Sequence, residues 1–211
     1  MARRTKEEAQ ATRVQILDAA ERVFHAQGVS RASLAEVAKE AGVSRGAIYW
    51  HFENKIDLFQ AMLERLRLPL EELARASESE DEPDPLGCMR ELLIKALTRL
   101  ACEPQTHRTH DILRYKCEYT GELLGLRERM QALSLECDQR IAKALGNAVN
   151  KGQLPEDLDC VRAAVCLHAY MEGIEANWLL VPNFDLAQQA PALVDTVLDM
   201  LRSPALRLIP V

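Results

Sequence analysis

Aromatic residues supply only 5% of this 211-residue chain, too few for the cross-strand aromatic pairs that an all-β fold relies on. Glycine and proline number nine each, which excludes collagen-like and low-complexity polymers. The six cysteines (Cys88, Cys102, Cys117, Cys137, Cys160 and Cys166) never stand as a CxxC pair and carry no local basic cluster that would favour a thiolate. The opening MARRTKEEAQATR is charged and lacks an apolar segment, so it does not read as a secretory signal. A reducing, cytoplasmic location is therefore expected, with the thiols free and mostly buried. The longest apolar stretch, 161–181, is interrupted by Arg162, His168, Glu172, Glu175 and Asn177, which argues against a membrane span. No GxGxxG, P-loop, GxSxG or HExxH occurs, and His107, His110 and Cys117 are too few to converge on a metal. No enzymatic activity, cofactor or metal is expected.

What the chain does contain is helix. Apolar residues make up 48% and charged residues 27%, an ordinary globular balance, in long runs rich in Ala, Leu, Glu, Arg and Lys. The length suits one large domain or two small ones at roughly 150 residues per domain. The net charge of −6 is unevenly spread: residues 1–55 sum to +2 and residues 56–211 to −8. A mildly basic head on an acidic body points to anion binding at the N-terminal end.

Helix punctuation is regular. Residues 12–27 carry Ile16, Ala20, Val23 and Phe24 on one stripe and stop at Gly28. Ser33 and Glu36 form a capping box that opens a short helix ending at Gly42, and Ser44 can cap a second over 45–51. Asn54 can cap a fourth helix, read as running over 55–75. An acidic loop, 77–85, ends in Asp84-Pro85, a cap followed by Pro at the first helical position. Further helices are expected from there to Pro104, over 105–119, 126–151, 157–181 and 186–202, with Gly121 and Gly125 loosening a connection. The fold class is all-α with about nine helices: a three-helix head over 1–54 and a larger helical body over 55–211. Two short helices around a Gly turn make a helix-turn-helix, and Gly42 supplies the positive φ that such a turn needs.

Residues 33–55, SLAEVAKEAGVSRGAIYWHFENK, resemble the DNA-binding segment of the TetR family of bacterial transcriptional repressors. The shared pattern is a capped short helix, a Gly turn, a recognition helix ending in Tyr-x-His-Phe, and a Lys opening the next helix. RRTKEEAQATR, ARASESEDEPDPLGCMR and LDMLRSPALR extend the resemblance toward the AcrR/TtgR-like branch, whose members repress multidrug efflux pump operons. The resemblance implies double-stranded operator DNA and hydrophobic effectors (antibiotics, dyes, plant-type aromatics) as partners, without membrane contact.

Within the head, Ile48 and Phe52 share an inward face, while Arg45 and Tyr49 share the outward one. Arg45 can make paired hydrogen bonds to guanine O6 and N7. Gly46 lets the backbone approach the groove floor. Tyr49 can donate to a phosphate or lie against a thymine methyl. Ser33 and Ser44 are caps whose helix N-termini also favour a phosphate. His51 and Lys55 are expected phosphate contacts, which position without specifying. Trp50 joins this DNA-facing set, with a partly core or interface role as its alternative. Arg3, Arg4, Lys6 and Arg13 are read as a basic arm or a solvated segment.

Within the body, the resemblance places an effector pocket at Leu66, Met89, Leu92, Leu93, Ala96, His110, Leu113, Arg114, Cys137, Ile141, His168, Met171, Glu172 and Glu175. Relatives tend to carry other residues at positions 110, 175 and 176, here His110, Glu175 and Ala176. Broad apolar walls with Met suit many shapes. His168, Glu172 and Glu175 share one face, with His110 and Arg114 as candidate partners, and two acidic groups there would favour hydrophobic cations. Simple core packing is the alternative for Leu92, Leu93, Ile141 and Met171, as a salt bridge is for the two glutamates. The final helix carries Leu193, Val194, Val197, Leu198, Met200 and Leu201 on more than one face, so a homodimer through the last two helices is expected. The resulting expectation is a dimeric, ligand-released repressor on a pseudo-palindromic operator. The alternatives are a regulator answering to a metabolite or lipid, and a ligand-binding or interaction module that does not bind DNA.

Overall fold

A computed structural model describes residues 6–119 and 121–208, leaving aside the side chain of Glu122. The described residues form ten α-helices: α1 Lys6–Gln27, α2 Leu34–Glu40, α3 Arg45–His51, α4 Lys55–Arg67, α5 Glu71–Ser77, α6 Pro85–Cys102, α7 Pro104–Tyr115, α8 Leu124–Asn150, α9 Cys160–Leu180 and α10 Leu186–Met200. Among them no strand is present, only an isolated antiparallel bridge between Leu158 and Arg207. The all-α expectation is met. The tenth helix arises because the run read as 55–75 is interrupted by a 3-10 turn at Leu68–Leu70. Pro69 is the cause: it lacks an N–H, and it biases Leu68 away from the α region.

The caps fall where the side chains dictate. Ser33, Ser44, Asn54, Asp84, Asp159 and Asp185 each accept a backbone N–H three residues on. Gly42 turns the chain at φ 65°. Other boundaries move. α7 stops at Tyr115 rather than at 119, because the Lys116 carbonyl leaves the helical ladder to accept the buried Val29 N–H at 2.9 Å. α9 starts at Cys160 rather than at 157, set by the Asp159 cap. Gly125 lies inside the first turn of α8, not in a connection.

The chain packs as two units. One comprises the residues up to Arg67 with Gln105–Glu128; the other comprises Leu68–Pro104 and the chain from Arg129 on. In the first, Ile16, Leu17, Ala20 and Phe24 of α1 meet a core that includes Val37, Ile48, Phe52, Leu58, Phe59 and Met62, all buried. Phe24 and Phe59 rings stand 6.2 Å apart. Ion pairs Arg65–Asp18 (2.7 Å) and Arg108–Glu21 tie α4 and α7 to α1. Glu21 is buried, so the Arg108 guanidinium is what makes its carboxylate tolerable there.

In the second unit, α6 packs against α5 and α10, and the core runs through Met89, Leu97, Leu100, Leu145, Leu167, Met171, Val194 and Val197. Arg140 of α8 clasps Glu78 (2.6 Å) and Glu71 (3.1 Å), holding α5 to α8. The surplus apolar surface sits on α9 rather than on α10. Val194, Val197, Leu198 and Leu201 are buried within the single chain, with only Met200 exposed among the six expected apolar residues. Their packing on α6 and α9 has used the apolar face that the sequence offered. On α9, by contrast, Val161 (71%), Val165 (51%) and Leu180 (67%) remain exposed.

Candidate functional site

The recognition helix α3 is held by two side chains. Ile48 is fully buried and Phe52 nearly so, four residues apart, and the Arg13 guanidinium lies 5.2 Å above the Phe52 ring. Arg13 is thus part of α1 and of the packing behind α3, not of an arm. Lys6 likewise opens α1, and Arg3 and Arg4 lie outside the described residues. With the inner face fixed, Arg45, Gly46, Tyr49 (50%) and Trp50 (72%) are exposed on the other side. Trp50 therefore takes no part in this chain's core; its ring meets His51 edge-on at 4.5 Å. A Cβ built on Gly46 would come no closer than 3.9 Å to any neighbour within the chain. The bare backbone there faces outward.

Two of the expected phosphate contacts already have internal work. The Ser33 N–H and O–H both donate to the Glu36 carboxylate, at 2.9 and 2.7 Å, while its hydroxyl oxygen accepts the Glu36 N–H. These bonds from Ser33 hold the Glu36 carboxyl below its usual range. The Lys55 ammonium donates to the carbonyls of Ser30 and Ala32, both at 3.1 Å, tying the start of α4 to the turn between α1 and α2. Ser44 is simpler: its hydroxyl accepts from Ala47 and it stands exposed at the start of α3.

The expected effector residues divide between the units. Leu66 of α4 and His110, Leu113 and Arg114 of α7 belong to the first and are half-buried. In the second unit, Met89 and Met171 are core residues, with Leu93 and Ile141 packed against the same cluster, while Leu92 and Ala96 are half-buried.

His168 is brought against α8. Its Nδ1 stands 2.7 Å from Asp138 Oδ1 and its Nε2 3.9 Å from Glu172 Oε1. The neighbouring Cys137 side chain does most to favour the imidazolium; burial opposes it and Asp138 adds to it, so the His168 pKa is pushed up to about 9. Asp138 was not among the expected residues. Its contact spans 30 positions of sequence, which no local spacing rule reports. Although it lies on the most apolar helix, Glu172 is exposed, because it continues the outward row of Val161, Val165 and Ala169, and Glu175 is half-buried. Among the described residues no helix is long and apolar enough to cross a membrane.

Comparisons with known proteins find relatives over nearly the whole chain. A family model described as "Bacterial regulatory proteins, tetR family" matches residues 16–62, and one described as "MAATS-type transcriptional repressor, C-terminal region" matches residues 84–203. The HTH-type transcriptional regulator TtgR of Pseudomonas putida is 54% identical over 209 residues, covering 98% of this chain and all of that protein. The crystal structure of NalD, the secondary repressor of the MexAB-OprM multidrug efflux pump in Pseudomonas aeruginosa, shares 35% identity at a TM-score of 0.78, over 92% of this chain and 97% of that one. SmeT, the repressor of the Stenotrophomonas maltophilia multidrug efflux pump SmeDEF, has been solved with triclosan and shares 33% identity at a TM-score of 0.81, over 96% of this chain and 99% of that one. The chain therefore belongs to the TetR family of bacterial regulatory proteins, DNA-binding transcriptional repressors rather than enzymes.

Proposed function

We propose that this protein is a dimeric repressor of a multidrug efflux operon, released from its operator by hydrophobic drugs. The observation that carries the reading is the outward face of α3, Arg45-Gly46-Tyr49-Trp50, fixed from behind by Ile48 and Phe52 in a chain whose full-length relatives regulate efflux pumps. In this reading residues 1–54 form the DNA-binding head and 55–211 the effector-binding and dimerisation part. Arg45 reads guanine, Gly46 admits the groove floor, and Tyr49, Trp50, His51 and Ser44 contact the backbone or base edges. Ser33 and Lys55 reach phosphate only by sharing the bonds they already make.

The dimer is proposed to form over α9 and α10, supported by the exposed Val161, Val165 and Leu180. Two heads then meet successive major grooves roughly 34–36 Å apart on a pseudo-palindrome. The effector residues are those the resemblance implied: Leu66, Met89, Leu92, Leu93, Ala96, His110, Leu113, Arg114, Cys137, Ile141, His168, Met171, Glu172 and Glu175. The triclosan complex of SmeT supports an aromatic, largely apolar ligand class. Release requires the drug to favour the DNA-incompetent state, with a coupling of about 1–3 kcal/mol, or roughly 5- to 150-fold in operator affinity.

Fluorescence anisotropy on DNA enriched by in vitro selection, with scrambled DNA as control, tests this. Specific binding that several unrelated hydrophobic drugs weaken is the expected result. Specific binding that no drug disturbs replaces the drug with a metabolite, and equal affinity for scrambled DNA overturns the reading.

A further inference from the structure

Helix α5 is anchored at both ends by polar bonds, with little apolar burial between them. It has seven residues, and only Ser77 is fully buried; Leu73, Ala74 and Ala76 are half-buried. One side chain of α8 grips both ends. Arg140 donates to Glu71, the first residue of α5, at 3.1 and 3.3 Å, and to Glu78, its C-cap, at 2.6 Å. Two turns farther along α8, the buried Asn147 donates to the Ser77 carbonyl at 3.2 Å. Burial alone would raise the Glu71 carboxyl, but hydrogen bonds from Arg140 and Arg75 override it and hold the group below its usual range. Both flanks of α5 are breaks in the helical chain. Before it lies the 3-10 turn at Leu68–Leu70, with Leu68 and Pro69 exposed; after it comes the irregular acidic run 78–84 that ends in the Asp84 cap of α6.

This attachment is of a kind that can open and close. Ion pairs that are partly open to solvent can be exchanged for bonds to water, which an apolar anchor cannot do. A helix of seven residues does not persist without its neighbours, so a released α5 would yield as one piece between its two flanks. Its neighbours are α6, against which it packs, and α8, which grips it. The same two helices supply Leu92, Leu93, Ala96, Cys137 and Ile141 to the proposed effector set, and Ile141 follows Arg140 directly. We propose that α5 is a releasable strap, latched by Arg140, that admits hydrophobic effectors to the apolar side chains of α6 and α8; the effector class rests on the repressor reading above. Arg140 is a positioning residue in this device: it sets how often the strap lifts and touches no effector itself. Entry and exit use the same opening, so loosening the latch speeds both and leaves the affinity nearly unchanged.

Hydrogen–deuterium exchange of the full-length protein, resolved by peptide, tests the strap. Residues 71–78 should exchange as a group, about tenfold faster than the middle turns of α6 and α8. Arg140→Gln should accelerate that segment about fivefold more and leave α6 and α8 unchanged. Arg140→Lys, which keeps the charge but not the fork that reaches both glutamates, should fall between. Glu78→Gln leaves the Glu71 pair standing; it should give a smaller acceleration of the same segment, and it serves if Arg140→Gln does not fold. Exchange of 71–78 at the rate of α6 and α8, or no acceleration in any folded variant, overturns the proposal. In a second arm, Nile red, a neutral hydrophobic dye, is mixed with the native chain and with the variant by stopped flow. Association and dissociation rates that rise together about threefold, at a dissociation constant unchanged within about twofold, support the strap; a purely structural role for Arg140 would not raise both. Saturable binding at unaltered rates overturns the strap and keeps the effector reading. Absence of saturable binding to the native chain overturns the effector reading instead.

Discussion

Helices α3 and α9 both leave apolar residues in solvent, and they do so in different chemistry. The seven-residue α3 exposes Tyr49 and Trp50, whose rings carry an O–H or N–H, next to Arg45 and the bare backbone of Gly46. The 21-residue α9 exposes Val161, Val165 and Leu180, which have nothing to offer but area. In the proposed reading the first surface meets a polar, charged partner that is read group by group. In the same reading the second meets the apolar surface of a second copy. The presence of a polar handle, more than the degree of exposure, separates the proposed reading face from the proposed assembly face.

Charging the assembly face should have the largest effect. Val161→Glu with Val165→Glu would place carboxylates in the proposed interface at several kcal/mol each, and sedimentation should show monomers that keep their helical circular dichroism. A dimer that survives would remove α9 from the interface. Next is the hidden support of the reading face. Ile48→Ala should cost about 2–5 kcal/mol of stability, seen as a lower unfolding midpoint together with lost operator binding. Arg45→Ala sharpens the contrast, since it should leave the unfolding midpoint alone and weaken specific binding by about 1–3 kcal/mol, chiefly at one base pair. The smallest effect is on pH. The His168 pKa is raised in the folded state to about 9, so its stabilising contribution is complete below the unfolded value near 6.5 and is lost as pH rises through 9. Urea unfolding across that window should show the decline, flattened in His168→Gln.

Much of the head was legible from local rules. Ser33, Ser44 and Asn54 announce helix starts, Gly42 announces the turn, and the four-residue spacing of Ile48 and Phe52 separates the inner face of α3 from the outer. These signals act within a few residues, so the sequence displays them directly. The break at Leu68–Leu70 was also written there, in Pro69, but the apolar periodicity on either side masks it. The other differences depend on partners distant in sequence. That Lys55 reaches the carbonyls of Ser30 and Ala32 depends on where the turn after α1 lands. That the apolar residues of α10 are largely covered while Val161, Val165 and Leu180 of α9 are not depends on α6 choosing α10 as its neighbour. The pairing of His168 with Asp138 follows from the register between two long helices, which neither helix encodes alone.

The bond from the Val29 N–H to the Lys116 carbonyl gives the molecule a built-in reporter. Val29 is fully buried, and its amide proton can exchange with solvent only when the end of α7 lifts away from the turn that leads into α2. A single amide resonance, followed in deuterated water, would thus time how often that joint opens, and would do so without a label, a ligand or a strand of DNA.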